Sequence, residues 1–149
     1  MRLLVKIRTL HAMGITARRS SRTIHSSVYL TPRQQTVGAG NQFSLALRIR
    51  PIIETDAIQA TITYNPAVLS FVGFSTTGSA FEQELSQTAS SGLLQIERGT
   101  FSPVHNDSLV VTLTFTVTTA TATTLTLSNT NATSQGSWTN PSTSNATVN

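Results

Sequence analysis

Residues 60–74, "ATITYNPAVLSFVGF", read as a strand, a break and a second strand. Ala60, Ile62 and Tyr64 alternate with Thr61 and Thr63, and this period of two puts the apolar side chains on one face of an extended chain. Asn65-Pro66 ends the run, because proline fixes φ and biases the residue before it away from helix. Apolar residues then resume with Leu69 and Phe71 on one face and Val68 and Val72 on the other. Two apolar faces predict burial from both sides, as at the edge of a sandwich core. The corner is therefore expected to carry the chain out of one sheet and into its neighbour.

The same alternation extends in both directions. Upstream, "SVYL" (27–30) is a short strand ended by Thr31-Pro32, and "VGAGNQ" (37–42) is a Gly-rich turn. "FSLALRIR" (43–50) then places Phe43, Leu45, Leu47 and Ile49 on one face, and "AIQATITY" (57–64) repeats the pattern. Downstream, "FEQEL" (81–85) and "LLQIERG" (93–99) read as strands, and "SPVHNDS" (102–108) as a loop. "LVVTLTFTV" (109–117) alternates apolar residues with threonines, and "TLTLS" (124–128) follows it.

Eight or nine short strands with turn signals between them, and no helical pattern after residue 33, predict an all-β antiparallel sandwich. Ser and Thr supply 36 of the 116 residues after Arg33, a composition that fits the wet outer faces of such sheets. The closing stretch 131–149 reads as a last strand or as a Ser/Thr/Asn-rich linker.

The formal charge of +4 invites a nucleic-acid reading, but its distribution excludes one. Residues 1–33 hold seven bases and no acid, while residues 34–149 hold three bases and six acids. The globular part is thus mildly acidic and offers a phosphate backbone no basic stripe. Residues 1–26 read as a basic leader or as sequence upstream of the true start. An organelle transit peptide is the alternative, and Lys6 and Arg8 interrupt the only candidate apolar core of a secretory signal. Residues 27–130 form the expected domain. There is no cysteine for a disulfide or thiolate site, and no apolar run long enough to span a membrane.

With that architecture, "YNPAVLSFV" (64–72) resembles the corner motif of the cohesin-like family. "VGAGNQFSLALRI", "DAIQATITY", "SGLLQIERG", "DSLVVTLTFTV" and "TATTLTLSN" are similar to further strands of that family in the same order. The resemblance implies a nine-stranded jelly-roll sandwich, an architecture shared with one group of carbohydrate-binding modules. It also implies work outside the cell or on its surface. The best-known members hold a calcium-dependent dockerin module, whereas many others have no evident dockerin partner.

On the family topology, Gln59, Thr61 and Thr63 would share one polar sheet face with Gln95 and Glu97, joined by Thr112, Thr114 and Thr116. Such a flat, hydrogen-bonding face suits a protein partner, although a solvated outer face has the same composition. Polysaccharide is the other partner class. Trp138, outside any alternating pattern, is then the candidate sugar platform, against a Trp that closes the end of the sandwich, which burial tendencies favour. Catalysis finds no support. His105 and Asp107 lack a nucleophile, Glu82 and Glu84 lie two apart on one strand instead of across a cleft, and Asn106 with Asp107 falls short of a calcium shell. No cofactor is expected, and the chain is expected to be a non-catalytic, secreted or cell-surface recognition module, with a structural segment of a surface or pilus-like array as the further alternative.

Overall fold

The computed structural model describes residues 26–149. The leader read over residues 1–26 thus lies, apart from Ser26, outside the described residues. Every regular element in them is a strand: β1 (Ser27–Thr31), β2 (Gln34–Gln35), β3 (Gln42–Arg50), β4 (Thr55–Thr63), β5 (Leu69–Ser75), β6 (Gln83–Ser90), β7 (Leu93–Val104), β8 (Ser108–Val117), β9 (Thr123–Ser134), β10 (Ser137–Thr139), β11 (Ser142–Ser144) and β12 (Ala146–Val148). No helix among them is long and apolar enough to cross a membrane.

The strands form two sheets. One has five strands in the order β11-β1-β3-β8-β5. The other runs β2-β12-β9-β4-β7-β6, with β10 beside β9 as its seventh strand. Together they make the expected all-β sandwich with jelly-roll topology. Its core is the alternating set read from the sequence: Phe43, Leu45, Leu47 and Ile49 from β3 meet Ile58, Ala60 and Ile62 from β4, and Leu113 and Phe115 from β8. Phe115 is fully buried and stacks on Phe43, with Tyr64 and Phe71 edge-on against it at 5.2 and 5.4 Å.

The Tyr64-Asn65-Pro66 corner does pass the chain between sheets, from β4 to β5. The Asn65 side chain accepts a hydrogen bond from the Ala67 amide at 2.9 Å, and its carbonyl accepts from Val68 and Leu69. This is the Asx turn that an Asn before Pro is suited to form. Two-sided burial of the following strand does not occur, however. β5 is the edge of its sheet, and Val72 is half-exposed.

Three boundaries also move. β6 starts at Gln83, after a buried Phe81, so Glu82 precedes the strand. β7 runs on to Val104, through the start of the expected loop. β9 continues to Ser134, past the expected boundary at 130, and residues 137–148 add three short strands that close both sheets.

Candidate functional site

Strand pairing arranges the outer face of the seven-stranded sheet in four rows. The first runs Trp138, Thr133, Ala57, Gly99, Gln83 across β10, β9, β4, β7 and β6. The second is Asn131, Gln59, Glu97, Ser86, and the third Ser128, Thr61, Gln95, Thr88. The fourth is Thr126, Thr63, Leu93, Ser90. Rows are about 7 Å apart along the strands, and β6 to β9 are about 14 Å apart across them. The result is a broad, shallow face.

Gln59, Thr61, Thr63, Gln95 and Glu97 therefore do share one face. Thr61 points outward yet is only 7 % exposed, because Gln95 and Ser128 flank it on both sides. The expectation for Thr112, Thr114 and Thr116 is corrected. β8 lies in the other sheet, between β3 and β5, and these threonines face out from the opposite side of the molecule. Alternation told inward from outward along β8 but could not assign the strand to a sheet. Matching of Phe43 to Phe115, Leu45 to Leu113 and Leu47 to Val111 makes that choice.

The exposed apolar side chains gather at the first-row end of the face, and the other rows are polar apart from the half-buried Leu93. Leu85 is the extra residue of a β-bulge between Glu84 and Ser86, and it folds over the outward-facing Gly99. Phe101, two residues beyond Gly99 on the same side of β7, is 87 % exposed. With Asp56, Ala57, Gln83, Gly99 and Thr100, these two side chains line a depression of about 320 Å³. Trp138 is half-exposed at the far end of the row, so the expectation that it closes the sandwich is corrected. Thr133, opposite it, is already held by hydrogen bonding to Asp56, and the pairing puts Trp138 on the same side of the sheet as Thr133. Asp56 also accepts from the Gln135 amide at 3.1 Å, which fixes the turn carrying Trp138.

Leu85 and Phe101 were missed in the sequence. The readable signal was parity: on β7, Gln95 and Glu97 mark the polar side, and Phe101 sits on that side.

The family model for the cohesin domain matches residues 29–149. The chain belongs to the cohesin family. Among solved structures, the sixth cohesin of Acetivibrio cellulolyticus scaffoldin B, in complex with a mutant dockerin, aligns with a TM-score of 0.72 at 11% identity, over 85% of this chain and 99% of that one. A non-cellulosomal cohesin from Archaeoglobus fulgidus aligns at 0.71 and 17% identity, over 84% and 90%. The OlpA cohesin of Clostridium thermocellum, in a type I cohesin–dockerin complex, gives 0.71 at 8% identity, over 84% and 98%. At these identities the structures show the shared fold. No curated protein matches the chain.

The opposite face of this cohesin domain carries a charged cluster. Arg48 Nε donates to Asp107 Oδ1 at 2.8 Å, Arg50 Nη2 lies 3.2 Å from Oδ2, and the Tyr29 hydroxyl donates to Oδ2 at 2.5 Å. Burial alone would raise the Asp107 carboxyl, but the Tyr29 hydroxyl and both arginines outweigh it and hold it below the usual carboxylate range. Asp107 is thus engaged in ordering arginines, while His105 lies 3.7 Å from Glu54. Among the described residues no group of three His, Asp or Glu is placed to hold a metal.

Proposed function

We propose that this cohesin domain is a non-catalytic assembly module that works outside the cell and docks a dockerin-like protein on the four-row face of β6, β7, β4 and β9. One observation carries the reading: three large apolar side chains, Leu85, Phe101 and Trp138, stand exposed at one end of a face that is mostly polar. Apolar anchors beside hydrogen-bonding residues form the usual anatomy of a protein interface, with burial supplying affinity and polar groups fixing register. Gln59, Thr63, Gln95 and Glu97 supply the polar part. The dockerin complexes of structurally similar cohesins support the partner class.

Polysaccharide is the second reading, because Trp138 and Phe101 are two exposed rings on one face. Three strand spacings separate β10 from β7, on the order of 15 Å, which a chain of sugars could bridge.

The test is a pull-down from native host extract with the full chain, with and without a calcium chelator. A doubly substituted Leu85→Ser/Phe101→Ser chain is run beside it. Recovery of a protein with paired calcium-binding loops, released by chelator and lost with the double variant, supports docking. Retention on insoluble polysaccharide, lost on Trp138→Ala, would move the assignment to sugar binding.

A further inference from the structure

The face opposite the docking surface gathers the solvent-accessible positive charge of the described residues. Arg33, Arg48 and Arg50 lie there, whereas the remaining arginine, Arg98, is buried under the other sheet. Two of the three guanidinium groups meet a single carboxylate, Asp107, which takes Arg48 through Nε and Arg50 through Nη2, while Arg33 has no ion pair with it. The Arg50 side chain is 64% exposed, and its Cζ lies 5.1 Å from the centre of the Tyr29 ring. It is therefore anchored on one side by a carboxylate and below by an aromatic face, with the rest of its fork turned to solvent. Such a guanidinium is pre-ordered for a second anion, since little rotamer freedom is left to lose on binding.

Beside it lies a depression of about 310 Å³ lined by Ser27, Tyr29, Thr31, Arg33, Arg50 and Ser144. Strand register builds it. Ser27 is opposite Arg50 on one side and Ser142 on the other, and Ser144 is opposite Tyr29. Two guanidinium groups and the hydroxyls of Ser27, Thr31 and Ser144 thus line one hollow, Ser27 in a hydrogen bond with Ser142 at 3.0 Å, while the Tyr29 hydroxyl is given to Asp107. A nucleic acid is a poor occupant, because the patch is small and the Tyr29 ring that would stack a base is already covered by Arg50. A carboxylate flanked by hydroxyls matches the lining in both charge and hydrogen-bonding capacity.

We propose that this hollow binds an acidic sugar chain, with Arg33 and Arg50 holding a uronate carboxylate and Ser27, Thr31 and Ser144 bonding its neighbouring hydroxyls. It is independent of the docking reading, because it uses the opposite face.

The test is amide NMR titration of the full chain with four probes: galacturonate trimer, neutral galactose trimer, sodium acetate and sodium sulfate. The uronate trimer is expected to shift the amides of Ser27, Tyr29, Thr31, Arg50 and Ser144, with the neutral trimer silent at the same concentration. Arg33→Gln and Arg50→Gln should each weaken binding roughly tenfold or more, the loss of a charge-assisted pair. Both side chains are exposed, so unchanged melting temperatures would confirm that the variants fold. Equal binding of the neutral trimer would overturn the proposal. Acetate or sulfate matching the uronate trimer would reduce the hollow to a free-anion site and overturn the sugar assignment. Shifts confined to the β6-β7-β4-β9 face, or insensitivity to both substitutions, would overturn it as well.

Discussion

Leu85 lies across Gly99. A methyl group on Gly99 would meet the Leu85 Cδ1 and the Asp56 carbonyl oxygen, each at 3.4 Å. This explains why an outward-facing glycine is buried on a solvated face, and what the bulge in β6 accomplishes: it aims an apolar side chain into the floor of the first row.

Gly99→Val should lift Leu85 off that floor and press on a carbonyl that cannot move aside, at a cost of about 1–3 kcal/mol. Leu85→Ser, at a half-exposed position, should cost less than about 0.5 kcal/mol. Both should abolish retention of the docking partner. Urea unfolding alongside the pull-down separates the two effects. A Leu85→Ser chain that still retains its partner would remove the apolar anchor from the site.

Arg98 is 3% exposed and points inward from β7, where Nε donates to the Phe81 carbonyl at 2.8 Å and Nη2 to the Glu82 carbonyl at 3.2 Å. Nη1 reaches Gln87 at 3.0 Å, and the Glu84 carboxylate stands off at 3.9 Å. The residue therefore acts chiefly as a clip on the backbone leading into β6. Arg98→Met keeps the bulk but strands both carbonyls, and should destabilise by about 2–4 kcal/mol. Arg98→Lys should recover only part of this, because one ammonium cannot reproduce a planar fork. Urea midpoints of the three chains give the order.

Tyr64 closes the corner from inside. Its ring meets Phe115 edge-on at 5.2 Å, while its hydroxyl reaches the Ser90 carbonyl only at 3.4 Å. Packing should therefore dominate: Tyr64→Phe is expected to cost less than about 1 kcal/mol and Tyr64→Ala about 3–5. Gly92 supports the same corner with φ of 80°, and a Cβ there would stand 3.1 Å from the Tyr64 carbonyl oxygen. Gly92→Ala should thus cost about 1–3 kcal/mol through strain alone. Thermal melts test all three, and equal losses for the two Tyr64 variants would place the energy in the hydroxyl instead.

The corner, the inward faces of β3, β4, β7 and β8, and the polar run Gln59-Thr61-Thr63 were all legible, because a period of two is a local signal. Which sheet a strand joins is not local. The family topology does not by itself say which face the β8 threonines join, and the pairing of β8 with β3 depends on side chains about 70 residues away in sequence, as Ser44 and Thr114 show by their 3.2 Å hydrogen bond. The exposure of Trp138 escapes the sequence for a related reason. Burial tendency speaks for an average tryptophan, whereas this one sits on a three-residue strand beside β9 with its outer surface uncovered. Leu85 needed the bulge, which alternation cannot foresee.

Asp107 should set part of the acid limit of the fold. Its carboxyl is held below its ordinary value of 3.8: burial opposes this, but the Tyr29 hydroxyl, Arg48 and Arg50 prevail. A carboxyl with a lowered folded-state pKa stabilises the protein fully above its unfolded value. That contribution is lost as pH falls through the lower folded value. Asp107→Asn removes it at every pH. The side chain is 31% exposed and partly screened, so the variant should be less stable by about 1 kcal/mol at pH 7. The gap should hold down to about pH 4 and close below it, as the native carboxyl takes up its proton and releases Arg48. Urea midpoints of the two chains from pH 7 to pH 2 test this. A gap of constant size across that range would mean that Asp107 stabilises by shape and hydrogen bonding alone, with its charge contributing nothing.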